Sequence, residues 1–160
     1  MQKHPASLRT RAGPVLALLA CLWSFAATAR SDHHALEATL RARAYGAGVA
    51  LDIAAAFPGA PGGTRVYWRI AVRAPDGAVV DTLWGELPID ADARATGQRE
   101  WVGADLADGF HAFELSATAI EPWMQRRVDA ASVDARVARA LNFAPNGVVE
   151  QRWEVPLGAI

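Results

Sequence analysis

Apolar and polar residues alternate along much of the chain with a period of two, the pattern of a β-strand that buries one face. The longest run of this kind covers residues 64–73. Its apolar face carries Val66, Trp68, Ile70 and Val72. Its polar face carries Arg65, Tyr67, Arg69 and Arg73. We therefore expect a strand with the first set in the core and the second set in solvent.

Six further segments alternate in the same way, separated by turn signals such as Asp76-Gly77 and Asn146-Gly147. These segments are residues 39–45, 49–54, 78–84, 98–102, 111–119 and 149–155. The alternation places His111 on the buried face of the sixth strand and Trp153 on the buried face of the seventh. About seven short strands joined by turns are typical of a β-sandwich.

Residues 130–141 have a different period. Their apolar side chains recur at the three- and four-residue intervals of a short amphipathic helix, which we expect to end near Pro145. This helix either caps one end of the sandwich or offers a surface to a partner. The predicted fold class is therefore all-β: an immunoglobulin-like β-sandwich of about seven strands with one short helix before the last strand.

The first 29 residues have the pattern of a secretory signal peptide. A basic start is followed by an apolar run from Pro14 to Phe25 and by the small residues Ala27-Thr28-Ala29, which suit a signal peptidase. We expect residues 1–29 to be the signal peptide, 30–38 a flexible leader and 39–160 the sandwich domain. The expected location is periplasmic or secreted.

Two other readings of this apolar run concern membrane attachment. The segment Leu18-Leu19-Ala20-Cys21 is similar to a lipobox, in which the cysteine is lipidated. A lipoprotein carries a polar tether after that cysteine, whereas here the apolar run continues, so we expect a soluble mature protein. The run is also shorter than the roughly 20 residues that span a bilayer.

Charge and cysteine content narrow the function classes. Removal of the signal peptide would take away three of the 16 basic residues and none of the 17 acidic ones, leaving a net charge of −4. A mildly acidic domain is a poor candidate for binding nucleic acid or an anionic membrane surface. Cys21 is the only cysteine, so the mature chain would have no disulfide, thiol nucleophile or thiolate metal site.

Three short motifs between residues 77 and 119 resemble the immunoglobulin-like repeat of flagellar hook-capping proteins. They are Gly77-Ala78-Val79-Val80, Trp101-Val102-Gly103-Ala104-Asp105 and Asp108-Gly109-Phe110-His111. The chain departs from that repeat at Val102, where the family has aspartate, and at His111, where it has tyrosine. The resemblance implies a sandwich fold and a role as an assembly or adaptor module, and it carries over no catalytic residue.

Residues suited to catalysis are few. The sequence contains no Gly-x-Ser-x-Gly elbow, His-Glu-x-x-His pair or phosphate-binding glycine loop. His111 could belong to a Ser/His/Asp set, but its buried position favours a structural histidine that is hydrogen-bonded at a corner of the sandwich. Acidic pairs such as Asp105 with Asp108 favour turns over calcium ligation. We expect no enzyme activity and no cofactor.

Two groups of residues are candidate binding sites. The first, on the polar face of the 64–73 strand, is Arg65, Tyr67, Arg69 and Arg73. These residue types suit a carboxylate or a sugar, whereas the arginines could instead pair with acids on neighbouring strands. Those acids are Asp52, Glu114, Glu150 and Glu154. The second group, near the expected new N-terminus, where an amine and imidazoles can bind Cu(II), is Asp32, His33 and His34.

The predicted function is an exported, non-enzymatic protein-interaction module: an adaptor, an assembly subunit or an inhibitor. Its expected partner is another envelope or secreted protein. The alternative is a small periplasmic copper-binding protein that uses the histidines near the mature N-terminus. A hydrolase with its site on loops is a third hypothesis.

Overall fold

The computed structural model describes residues 35–158, so the predicted signal peptide, Cys21, Asp32, His33 and His34 lie outside the described residues. The described residues form seven strands, one 3₁₀ helix and one α-helix. The strands are β1 (Glu37–Tyr45), β2 (Gly48–Ala56), β3 (Arg65–Arg73), β4 (Val79–Pro88), β5 (Arg94–Trp101), β6 (Gly109–Ile120) and β7 (Val149–Leu157). The 3₁₀ helix is Pro122–Arg127, and α1 (Val133–Phe143) follows it.

The strands form two antiparallel sheets, one ordered β1-β2-β5 and the other β4-β3-β6-β7. The seven expected strands and the single α-helix before the last one are confirmed; the 3₁₀ helix was not expected. β3 is a central strand with β4 on one side and β6 on the other. Its register places Arg69 directly between Trp84 and Ser116.

The main hydrophobic core contains residues of both sheets and includes the apolar face predicted for β3. Val66, Ile70 and Val72 are fully buried, and Trp68 is 1% exposed. The indole of Trp68 occupies space above Gly85, where an added Cβ would lie 2.2 Å from the ring. Fully burying one apolar side chain contributes about 1.5–3 kcal/mol, so these residues of β3 make a large contribution to stability.

The expectation that Trp153 is buried is wrong, because its side chain is 42% exposed. Trp153 is paired with the fully buried Phe113 of β6, but β7 is an edge strand. A residue on an edge strand has a neighbouring strand on one side only, so a ring can keep the expected direction and remain accessible. The alternation of residues predicts the direction in which a side chain points. The position of the strand in the sheet decides how far that side chain is buried.

A second hydrophobic cluster lies where α1 packs against β3, β4 and β6. Its buried members are Tyr67, Ile120, Met124, Val128, Val137 and Ala140. The expectation that Tyr67 faces solvent is wrong: its side chain is 3% exposed, because α1 and the 3₁₀ helix cover this end of the sheet. The helix ends at Phe143, and the residue after it, Ala144, has the left-handed φ of 34° common at a helix C-terminus.

The edges of the four-stranded sheet carry features that disfavour pairing with another chain. β4 has a bulge where its register with β3 shifts at Val72/Arg73. Asp81 of β4 follows the bulge and lies opposite the buried Val72. β7 contains Pro156, which has no N–H to donate. None of the helices found between residues 35 and 158 is long and apolar enough to cross a membrane.

Candidate binding site

The four residues of the predicted binding surface lie in two separate places. Arg69 and Arg73 line an open groove on the four-stranded sheet, which we call the sheet groove. Arg65 and Tyr67 line a cleft beside the 3₁₀ helix and α1, which we call the helix cleft. The four positions alternate along β3 as expected, but the helices that cover Tyr67 interrupt the surface between them.

The sheet groove has a volume of about 650 Å³ and runs across all four strands of its sheet. Its shape follows from side-chain size. Small side chains, those of Ala71, Thr82 and Ser116, lie on β3, β4 and β6. Longer ones stand around them, including Arg69, Arg73, Trp84, Glu114 and Arg152. A floor of small residues inside a rim of long ones leaves a depression that a partner's side chains can fill.

One side of the sheet groove is an ion-pair network centred on Glu114. Arg73 donates to Glu114 Oε2 over 2.8 Å, and Arg152 donates to Oε1 over 2.6 Å. Arg152 also pairs with Glu154 at 2.9 Å. The hydrogen bond from Arg73 holds the pKa of the Glu114 carboxyl below its usual range. For Arg73, the cross-strand pairing weighed from the sequence is therefore confirmed.

Arg69 lies in a different environment, because it forms no ion pair with any described residue. Its Nη2 lies 3.5 Å from the Ser116 hydroxyl, which is long for a hydrogen bond. Its guanidinium carbon lies 5.8 Å from the centre of the Trp84 ring, within cation–π range. The indole therefore orients a guanidinium whose donors remain largely available to a ligand.

The helix cleft has a volume of about 450 Å³ and contains both signs of charge. Glu86 accepts from Arg65 over 3.1 Å and also pairs with Arg136 of α1. This carboxylate therefore connects the sheet to the helix. Burial raises the pKa of the Tyr67 hydroxyl, and the negative charge of Glu86 adds to that effect.

The segment 97–119 forms a packed corner. His111 is 1% exposed, as expected, and its ring centre lies 6.3 Å from that of Trp101. Trp101 also meets Phe113 edge to face at 5.5 Å. The Nδ1 atom of His111 lies 3.4 Å from the Gly109 carbonyl, so this contact is weak and packing dominates the environment of the ring.

The described residues include no group of three or more histidine, cysteine or acidic side chains placed to hold a metal ion. The proposed copper ligands Asp32, His33 and His34 lie outside the described residues, so that hypothesis stays a prediction.

Sequence reasoning missed Trp84, Glu86, Arg126 and Arg136 as parts of these two sites. Trp84 and Glu86 could have been found from the β3–β4 hairpin, because its register places them opposite Arg69 and Tyr67. Arg126 and Arg136 could not be found in this way. They reach the sheet only because the helices fold back over it, and no local pattern encodes that packing.

The groove and the cleft are thus two polar sites built on opposite ends of one strand, β3. The chain matches no protein-family model, and a search of curated proteins finds no match to it.

Proposed function

We propose that the chain is an exported, non-enzymatic interaction module that binds another envelope or secreted protein through the sheet groove. The observation that carries the proposal is Arg69, which is stacked near Trp84 and has no described carboxylate partner. Arginine and tryptophan are the residue types that contribute most to protein interfaces. A planar guanidinium held in this way suits an acidic side chain of a partner, which it can bind through two parallel hydrogen bonds.

The form of the site supports contact through the face of the sheet. Because β4 has a bulge and β7 has a proline, addition of a partner strand at either edge is disfavoured. The sheet groove, in contrast, presents an open surface with a small-residue floor. Its arginines exceed its acids by one, which favours a partner surface with acidic residues.

The proposed fold family is the immunoglobulin-like sandwich. The division into β1-β2-β5 and β4-β3-β6-β7 supports it, as does the packing of Trp101 against Phe113 near a corner of the sheet. The similarity of residues 77–119 to the repeat of hook-capping proteins favours an adaptor or assembly role. The proposal includes no catalytic residue, because His111 is enclosed by Trp101 and its own strand.

Export is tested separately from binding. Intact mass and N-terminal sequencing of the protein recovered outside the cytoplasm should give a chain that begins at Arg30. A diacylated N-terminus at Cys21 would mean that the protein is anchored by lipid and is not a soluble module.

Binding through the groove is tested by site-specific crosslinking in cells. A photoreactive phenylalanine derivative at Thr82, inside the sheet groove, should crosslink a defined partner. The same group at Thr96, on the other sheet, is the matched control and should give no such product. Arg69→Gln should remove the Thr82 product without lowering expression. Equal products from both positions, or a product insensitive to Arg69→Gln, would contradict the proposal.

A further inference from the structure

The helix cleft contains a tyrosine hydroxyl that forms no hydrogen bond with residues 35–158. Tyr67 is 3% exposed and lines the cleft, yet its hydroxyl forms no hydrogen bond with any described residue. Its ring packs in the second hydrophobic cluster, so the hydroxyl is held at the cleft wall, where it remains accessible to solvent. A ligand that accepts a hydrogen bond from this hydroxyl would therefore meet a donor that is already held in place.

The charges around Tyr67 indicate the kind of ligand. Arg65, Arg126 and Arg136 line the cleft together with Glu86 and Asp129, so the cations exceed the acids by one. Arg65 and Arg136 are both bound to Glu86. Arg126 is exposed and forms no ion pair with a described residue, so its guanidinium is free to meet an anion.

We propose that the helix cleft binds a small organic molecule through a carboxylate group, which accepts a hydrogen bond from the Tyr67 hydroxyl and pairs with Arg126. This site is separate from the sheet groove and does not depend on the proposed protein partner. The cleft volume of about 450 Å³ lies in the range of small-molecule sites.

The choice of a carboxylate follows from charge balance. A carboxylate carries one negative charge and matches the surplus of one cation, whereas a phosphate monoester carries roughly 1.5 to 2 at pH 7. Asp129 would repel the more highly charged ligand more strongly. Burial raises the pKa of Tyr67, so the hydroxyl stays protonated and able to donate at neutral pH.

The test uses the mature chain and three probes: acetate, benzoate and inorganic phosphate. Binding is followed by two-dimensional NMR of backbone and arginine side-chain N–H groups. Benzoate should shift the signals of Gln125 and Arg126 in a saturable way, and phosphate should bind more weakly. The absence of a saturable shift with either carboxylate, or tighter binding of phosphate than of benzoate, would overturn the proposal.

Tyr67→Phe isolates the hydroxyl. It should weaken benzoate binding about tenfold or more, the effect of losing a hydrogen bond to a charged group. The matched control is Tyr45→Phe, which changes the other tyrosine of the chain, on the first sheet, and should leave the affinity unchanged. Asp129→Asn should tighten binding by removing a like charge. Equal affinity in the wild type and Tyr67→Phe would overturn the proposal.

Folding of the variants can be checked independently. Because the Tyr67 hydroxyl has no partner among residues 35–158, Tyr67→Phe should keep the thermal midpoint of the ligand-free protein. Should that variant unfold, Arg126→Gln gives the same information from an exposed position and should also weaken benzoate binding. Benzoate shifts confined to Trp84 and Arg69 would assign the anion to the sheet groove and reject the helix cleft.

Discussion

The indole N–H of Trp101 donates a hydrogen bond of 2.8 Å to Oδ2 of Asp81. Trp101 belongs to β5 and Asp81 to β4, two edge strands that lie in different sheets and share no backbone pairing. The bond therefore joins the sheets directly. Beside it, the Arg99 guanidinium lies 5.5 Å from the centre of the Trp68 ring. The two contacts connect β5 of one sheet to β4 and β3 of the other.

Trp101→Phe should lower the free energy of unfolding by about 1–2 kcal/mol, because it removes a hydrogen bond to a carboxylate that is itself accessible to water. The measurement is chemical denaturation monitored by circular dichroism. A double-mutant cycle with Asp81→Ala, which removes the acceptor, isolates the bond from the lost ring volume. Additive effects of the two changes would mean that the sheets are not coupled through this pair.

The strand pattern could be predicted from the sequence because each strand has one buried face. For β3, a central strand, the predicted apolar positions are all buried. The same reasoning was wrong for Trp153, because strand order is not visible in the alternation of a single segment. It was also wrong for Tyr67, whose face is covered by α1. Both errors arise from long-range packing.

The contrast between two tryptophans can be measured directly. Trp68→Ala should cost about 3–5 kcal/mol, the usual cost of truncating a large buried aromatic side chain. Trp153→Ala should cost less than half as much, because 42% of its surface already meets water. Midpoints of urea denaturation compare the two variants. Equal losses would show that the sheet edge packs Trp153 as tightly as the core packs Trp68.

Gly85 is expected to be intolerant of a side chain. A Cβ at this position would lie 2.2 Å from the Trp68 ring, a distance that forces the buried indole to move. Gly85→Ala should therefore destabilise the fold by about 1–3 kcal/mol, the usual cost of overpacking. The control is Gly62→Ala, where no other atom lies within 4 Å. Similar thermal midpoints for both variants would contradict this account of the core.

The candidate sites were predictable only in part. Arg69 and Arg73 were found because alternation places them on the polar face of β3, and both line the sheet groove. The difference between them was not predictable. Arg73 is neutralised by Glu114 across the strand, whereas Arg69 lies opposite Trp84 and Ser116, neither of which carries a charge. The register of β3 with β4 and β6 sets this difference between the two arginines, because it decides which side chains lie next to each of them.

The pairing of Glu114 gives a stability that depends on pH. Its folded-state pKa is lowered, first by the hydrogen bond from Arg73, so the folded protein binds this proton less readily than the unfolded chain. The contribution is present above the unfolded pKa and is lost as pH falls through the folded pKa. Between about pH 5 and pH 2, the free energy of unfolding should fall less steeply in Glu114→Gln than in the wild type.

A control separates Glu114 from Glu150, the other carboxylate that lines the groove. Glu150→Gln leaves the contacts of Glu114 with Arg73 and Arg152 in place, so the part of the pH dependence that comes from Glu114 should remain in this variant. Parallel curves for Glu114→Gln and the wild type would show that the Arg73 pair does not contribute to folding.

Substitution of His111 tests whether the corner around it has a structural role or is part of a binding site. Its ring is 1% exposed and packs beside Trp101, while its polar contact with Gly109 is long at 3.4 Å. Truncation should therefore act through lost packing, and we expect His111→Ala to lower the free energy of unfolding by about 2–4 kcal/mol. Phe110→Ala, at an exposed position on the same strand, is the control and should have a much smaller effect.

In the fraction of His111→Ala protein that remains folded, crosslinking through position 82 should be unchanged, because the corner contributes no residue to the sheet groove. A variant with full stability and no crosslinked product would make residues 101–113 part of the binding site.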